Sequence, residues 1–145
     1  MNLQVPGKEY IVQRTASIVH TAHHREIDVA RISVLPNTLS EIHVKEDEVL
    51  NTVNIRAMLQ ARAELRPGGR GPLLFVVPGH PAWDVNTLRS NVFEGHEQSI
   101  TALGVYLEDH VLATAARMFF SLFPPPFPVK LLDDEEALRS WLLEL

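Results

Sequence analysis

Two continuous apolar runs, PLLFVV at 72–77 and TALGVYL at 101–107, restrict most strongly what this chain can fold into. Each has the length of a strand and lacks the polar alternation of a strand with one wet face. Both therefore predict strands buried on two sides, which in turn need helices on the sheet. The flanking sequence supplies them. In LNTVNIRAMLQARAELRPGG (50–69), Ile55, Met58, Leu59 and Ala63 share a helical stripe, with Thr52 or Asn54 as the cap and Arg66-Pro67-Gly68-Gly69 as the stop. Asp84 then caps a weaker helix through Val85, Leu88 and Val92 that breaks near Gly95. Glu108-Asp109 opens another, with Val111, Leu112, Ala115, Met118, Phe119 and Leu122 expected on its buried side. PVKLL (128–132) reads as a short strand, and DDEEALRSWLLEL (133–145) as a final helix. Its expected cap is Asp133 with Glu136 three residues on, and Leu138, Trp141, Leu142 and Leu145 line one face.

Upstream, ARISVL (30–35) and LSEIHVK (39–45) alternate, and Pro36-Asn37-Thr38 supplies turn chemistry between them. They predict an antiparallel hairpin with one solvated face. The expected order is β-β-α-β-α-β-α-β-α, an α/β fold whose mixed sheet has an N-terminal antiparallel hairpin, parallel βα units and helices packed on it. One domain is expected over 29–145. Residues 1–28 fit both a strand and a helix and are assigned to an N-terminal extension.

The proline cluster in SLFPPPFPVKLLDDEEALRSWL (121–142) follows an apolar helix and precedes a strand. A displayed polyproline ligand needs polar, extended surroundings. These prolines instead end the helix, because proline cannot continue it. The segment is a joint, with Phe123 and Phe127 expected to bury beneath it.

The C-terminal half, SITALGVYLEDHVLATAARMFFSLFPPPFPVKLLDDEEALRSWL, resembles small bacterial STAS-like proteins of unassigned function. These share the anti-sigma-factor antagonist fold, related in shape to CRAL-TRIO lipid carriers. The matching pattern lies at 101–107, 118–120, 126–132 and 134–142. The resemblance implies a mixed sheet flanked by helices, no catalysis, and action by protein–protein contact. It also implies a phospho-switch serine in an Asp-Ser-Ser-Gly-type turn. The corresponding stretch, PGHPAWDVNTLRS (78–90), lacks that turn and offers only Thr87 and Ser90 as phospho-acceptors.

The net charge of −5 argues against non-specific nucleic-acid binding, which needs basic residues to neutralise phosphates. With no cysteine there is neither a disulfide nor a thiolate nucleophile. No apolar run reaches the ~20 residues of a membrane span, and MNLQVPGKEY lacks a signal core. A cytoplasmic protein of bacterial type is the expectation.

His20, His23 and His24 would share a helix face, but no carboxylate accompanies them, so they are read as surface histidines. A sharper constellation follows from the fold, since open α/β sheets bind ligands beyond the carboxyl ends of their strands. His80, Asp109, His110 and Asp133 occupy three such ends. Two histidines and a carboxylate could hold a metal, or a His–Asp pair could move a proton. Caps explain the acids more simply, and no nucleophile elbow or phosphate loop is present. No catalytic residue, cofactor or metal is therefore assigned. Met118, Phe119, Phe120 and Phe123 exceed what one buried stripe needs and are read as core or as an interface for a partner or a second copy. The expected role is a non-enzymatic regulatory or interaction module. The alternatives are a small-ligand or lipid carrier, and a metal-assisted hydrolase using His80, Asp109 and His110.

Overall fold

The structure is a computed structural model and describes residues 23–145. The chain runs β1 (His23–Glu26), β2 (Ala30–Val34), β3 (Ser40–Val44), β4 (Val49–Leu50), α1 (Thr52–Leu65), β5 (Gly71–Val77), β6 (Ala82–Trp83), α2 (Val85–Arg89), β7 (Ile100–Leu107), α3 (His110–Leu122), β8 (Val129–Leu131) and α4 (Glu135–Leu143). Six strands form one sheet in the order β1-β2-β3-β5-β7-β8, and β4 with β6 forms a small parallel pair. β1, β2 and β3 pair antiparallel, and every pairing from β3 to β8 is parallel. This is the mixed α/β sheet expected. Three strands were not expected: the short β4 and β6, and β1, which falls within the stretch assigned to the extension, so that the main sheet starts at His23. The rest of that stretch, His20 included, lies outside the described residues.

The buried runs behave as their composition demands. In β5 and β7, Leu73, Val77, Leu103, Val105 and Leu107 face a core shared with Met58 and Leu59 of α1 and Leu112 and Ala116 of α3. Their alternate residues Leu74, Val76 and Ala102 face a second, smaller core with Leu39 and with Leu138 and Leu142 of α4. Helices α1 and α3 thus cover one face and α4 the other. Because α4 covers part of the other face, the hairpin is not solvated throughout: Glu41 of β3 is buried beneath α4. Gly104 lets α4 sit close, since a Cβ there would stand 3.1 Å from Leu142 Cδ1.

The turn between β2 and β3 is held by Leu39 N donating to Asn37 Oδ1 at 3.1 Å. It carries Thr38 at φ +73° and lies hard against the start of β5. A Cβ on Gly71 would come within 2.5 Å of Thr38 O. Gly71→Ala is therefore expected to cost about 1–3 kcal/mol, because backbone rather than a flexible side chain must move. Chemical denaturation measures it, and an unchanged midpoint would contradict this close approach.

Three local expectations are corrected. The cap of α1 is Asn51, whose side chain accepts from Asn54 N at 2.8 Å. The cap of α4 is Asp134 rather than Asp133, which frees Glu136 to pair with Arg139. α2 ends at Arg89, short of Val92. Asp84 and Asp109 cap α2 and α3 as expected. At the proline joint Phe127 is buried, but Phe123 is not.

Candidate functional site

At the carboxyl edge of the sheet, the residues expected to gather do so only in part. β5 ends at Val77, and the turn beyond it carries Gly79 at φ +68°, with its N–H donating to Glu108 Oε1 at 2.6 Å. This places His80 Nδ1 3.2 Å from Asp109 Oδ2. The other Asp109 oxygen accepts from Val111 N at 2.9 Å and Leu112 N at 3.0 Å. The Leu112 N–H, followed by His80 and the Val111 N–H, holds the Asp109 carboxyl below its ordinary value. Asp109 is thus a helix cap that also anchors an imidazole.

His110 belongs elsewhere. It lines a hollow of about 180 Å³ with Arg117 and Asp133, on the β8 side. The described residues contain no group of three His, Asp or Glu side chains placed to hold a metal. The His80 side chain is 81% exposed. A wet, loosely held imidazole with no nucleophile beside it is poorly placed for general-base chemistry. His23 and His24 sit next to each other on β1, and His24 Nδ1 contacts Ser33 Oγ at 3.0 Å.

Thr87 is buried, and its hydroxyl donates to Asp84 Oδ1 at 3.3 Å. The Ser90 hydroxyl donates to Asn86 O at 2.9 Å and accepts from Thr52 Oγ1 at 3.2 Å. Both hydroxyls serve the α2 turn. An apolar cavity lies between the helices and the sheet, lined by Leu59, Phe75, Phe93, Leu107 and Phe119 among others. It measures about 90 Å³, far below the ~300 Å³ at which ligand pockets begin. The carrier reading loses its footing there.

The aromatic group of α3 divides. Phe119 and Phe120 are half-buried and meet edge to face at 5.4 Å, and Phe120 extends the contact to Phe93 at 6.5 Å. Val111, Met118, Leu122 and Phe123, by contrast, are 72%, 62%, 68% and 60% exposed. Val111, Met118 and Leu122 were expected on the buried side. The sheet-facing stripe is instead Leu112, Ala113 and Ala116. The polar residues His110, Thr114, Arg117 and Ser121 mark one exposed face, but apolar residues occupy the rest of the circumference, and the two alanines let the backbone approach the sheet.

The opposite, amino-terminal edge holds a feature that sequence reasoning passed over. Arg62, Arg66 and Arg70 line a cavity of about 350 Å³ beside the starts of β3, β5 and β7. Their spacing in ARAELRPGGRG (61–71) was the available signal, but Arg62 and Arg66 there look like a solvated helix face.

These features define a mixed α/β sheet protein with an exposed apolar helix face and a basic cavity. No family model matches the sequence, and no curated protein matches it. Among solved structures, the chain is similar to an uncharacterized protein of the DUF3478 family with a SpoIIAA-like fold from Shewanella loihica. The two share 11% identity at a TM-score of 0.47, over 88% of this chain and 98% of that one. At this level of similarity, function must be argued from the residues of this chain.

Proposed function

We propose that this chain is a non-enzymatic module acting by protein contact, and that α3 pairs with α3 of a second copy. The observation that carries this reading is the outward stripe Val111, Ala115, Met118 and Leu122, spaced four, three and four residues apart. That spacing makes the narrow seam of a helix–helix contact rather than scattered surface residues. The stripe also fits itself. An antiparallel two-fold pairing sets Val111 of one copy against Leu122 of the other, and Ala115 against Met118, so that small meets large. α3 carries Arg117 and no acid. Two copies bring those arginines near each other, and salt should strengthen the pairing by screening them.

Light scattering against protein concentration tests this on the full chain. The expected result is a mass that rises toward twice the chain mass, and that stays at one chain in the Met118→Glu/Leu122→Glu variant. Those positions are exposed, so the variant should keep its melting temperature. A wild-type protein that remains a monomer at every concentration overturns the pairing.

A further inference from the structure

We propose that the arginine-lined cavity at the amino-terminal ends of the parallel strands binds a small molecule bearing a phosphate monoester. This site involves neither α3 nor the carboxyl edge of the sheet, and it is independent of self-pairing.

The argument starts from Arg62, which is 6% exposed and sits in the last turn of α1. Its Nε donates to Ser40 Oγ at 2.5 Å, its Nη1 to Ser99 Oγ at 3.0 Å, and its Nη2 to Gly71 O at 3.2 Å and Ser99 O at 3.0 Å. Every one of these acceptors is neutral. A buried guanidinium is ordinarily held by a carboxylate, because taking a full charge out of water is costly. Here the residues lining the cavity include no aspartate or glutamate. Burial, and then the nearby positive charge of Arg66, lower the Arg62 pKa to about 10. The hydrogen bonds tie α1 to three strand starts, which accounts for the position of Arg62. They leave its charge unbalanced.

A structural clamp needs only that one arginine, yet two more converge on the same space. The Arg66 side chain passes close over Gly69, where a Cβ would stand 2.6 Å from Arg66 Nε and 2.8 Å from Arg66 O, so glycine is what allows this approach. Gly68, at φ +74°, has nothing within 4 Å of where its Cβ would be, and the loop stays open on that side. Among the described residues Arg70 spends only Nε, on Gln98 O at 2.9 Å. Each guanidinium has five N–H donors. Arg62 keeps one on Nη1, Arg70 keeps four, and Arg66 enters no ion pair among the described residues. In a chain of net charge −5, three cations thus face one cavity with donors to spare. Planar guanidinium forks match the oxygens of a phosphate, which carries up to two charges and accepts several such bonds. The volume of about 350 Å³ exceeds what a bare phosphate fills and leaves room for an attached group the size of a sugar.

Calorimetric titration of the full chain with ribose 5-phosphate, ribose and inorganic phosphate tests the site. Ribose 5-phosphate should bind more tightly than inorganic phosphate, and ribose should not bind. Arg66→Ala/Arg70→Ala should weaken ribose 5-phosphate at least tenfold. Arg70 is exposed and Arg66 half-buried, neither in an ion pair among the described residues, so the variant should fold with a nearly unchanged melting temperature, whereas Arg62→Ala would confound binding with stability. The proposal is overturned if ribose 5-phosphate fails to bind, if ribose binds equally well, or if the double variant binds as the wild type does. It is also overturned if binding disappears at about 150 mM salt, because screening removes diffuse attraction but not a partly buried contact.

Discussion

An Arg139→Ala variant is expected to lose about 2–3 kcal/mol of stability at neutral pH, because a buried carboxylate is left without its counter-ion. Glu41 on β3 is 9% exposed. Arg139 on α4 reaches its two oxygens with Nε at 2.8 Å and Nη2 at 3.0 Å, and His43 Nε2 stands 2.8 Å away. Burial on its own raises the Glu41 pKa, but the hydrogen bonds of His43 and Arg139 outweigh it and hold the carboxyl at about 2. The folded value thus lies below the ordinary 4.5. The stabilisation is complete above that ordinary value and is lost as pH falls toward about 2. Without Arg139 the carboxyl stays buried, loses two charged donors and keeps His43, so the acid limb should flatten. Urea unfolding at about pH 7, 5 and 3 should show the gap between the two proteins narrowing with acid. A gap that stays constant would mean that Glu41 is not the group responsible.

The second large effect is expected at the other anchor of α4. Leu138 is fully buried, and Leu138→Ala should cost about 3 kcal/mol, by lost transfer energy and the cavity left behind. Gly104→Ala should by itself crowd the helix, since the new Cβ would stand 3.1 Å from Leu142 Cδ1 and 3.4 Å from Leu138 Cδ2. In the double variant the Leu138 Cδ2 contact no longer exists, while those to Leu142 Cδ1 at 3.1 Å and to the Cβ of residue 138 at 3.5 Å remain, so the two costs should sum to less than their separate values by about 0.5–1 kcal/mol. Strict additivity would show that α4 does not seat on Gly104.

What could be read in advance depended on whether the deciding contact was local. β5 and β7 were legible because unbroken apolar runs leave few other outcomes. Asp84 and Asp109 were legible as caps because a cap is decided within three residues. The proline joint was legible for the same reason. Glu41 was not, because alternation puts it on the hairpin's wet face and the helix that buries it lies 98 residues on. The orientation of α3 was half legible: His110, Thr114, Arg117 and Ser121 mark one outward side, but apolar residues fill the remainder and tertiary packing selected Leu112, Ala113 and Ala116. The basic cavity was missed for a third reason. Arg62 and Arg66 have the spacing of an ordinary exposed face, and only the approach of Ser40, Gly71 and Ser99 turns that face inward. The candidate edge was half legible, with His80 and Asp109 together and His110 lining a separate hollow with Asp133.

The strand order has a consequence for synthesis on the ribosome. Each strand from β1 to β8 in the main sheet docks beside the one made before it, so the sheet can grow in the direction of translation, at roughly 5–20 residues per second. One side of the growing sheet is covered as it forms, by α1 and then α3. The other side, with Leu39, Leu74, Val76 and Ala102, waits for α4. For several seconds at that pace a nascent chain carries an almost finished sheet with one bare greasy flank. That interval is when a holdase has most to grip.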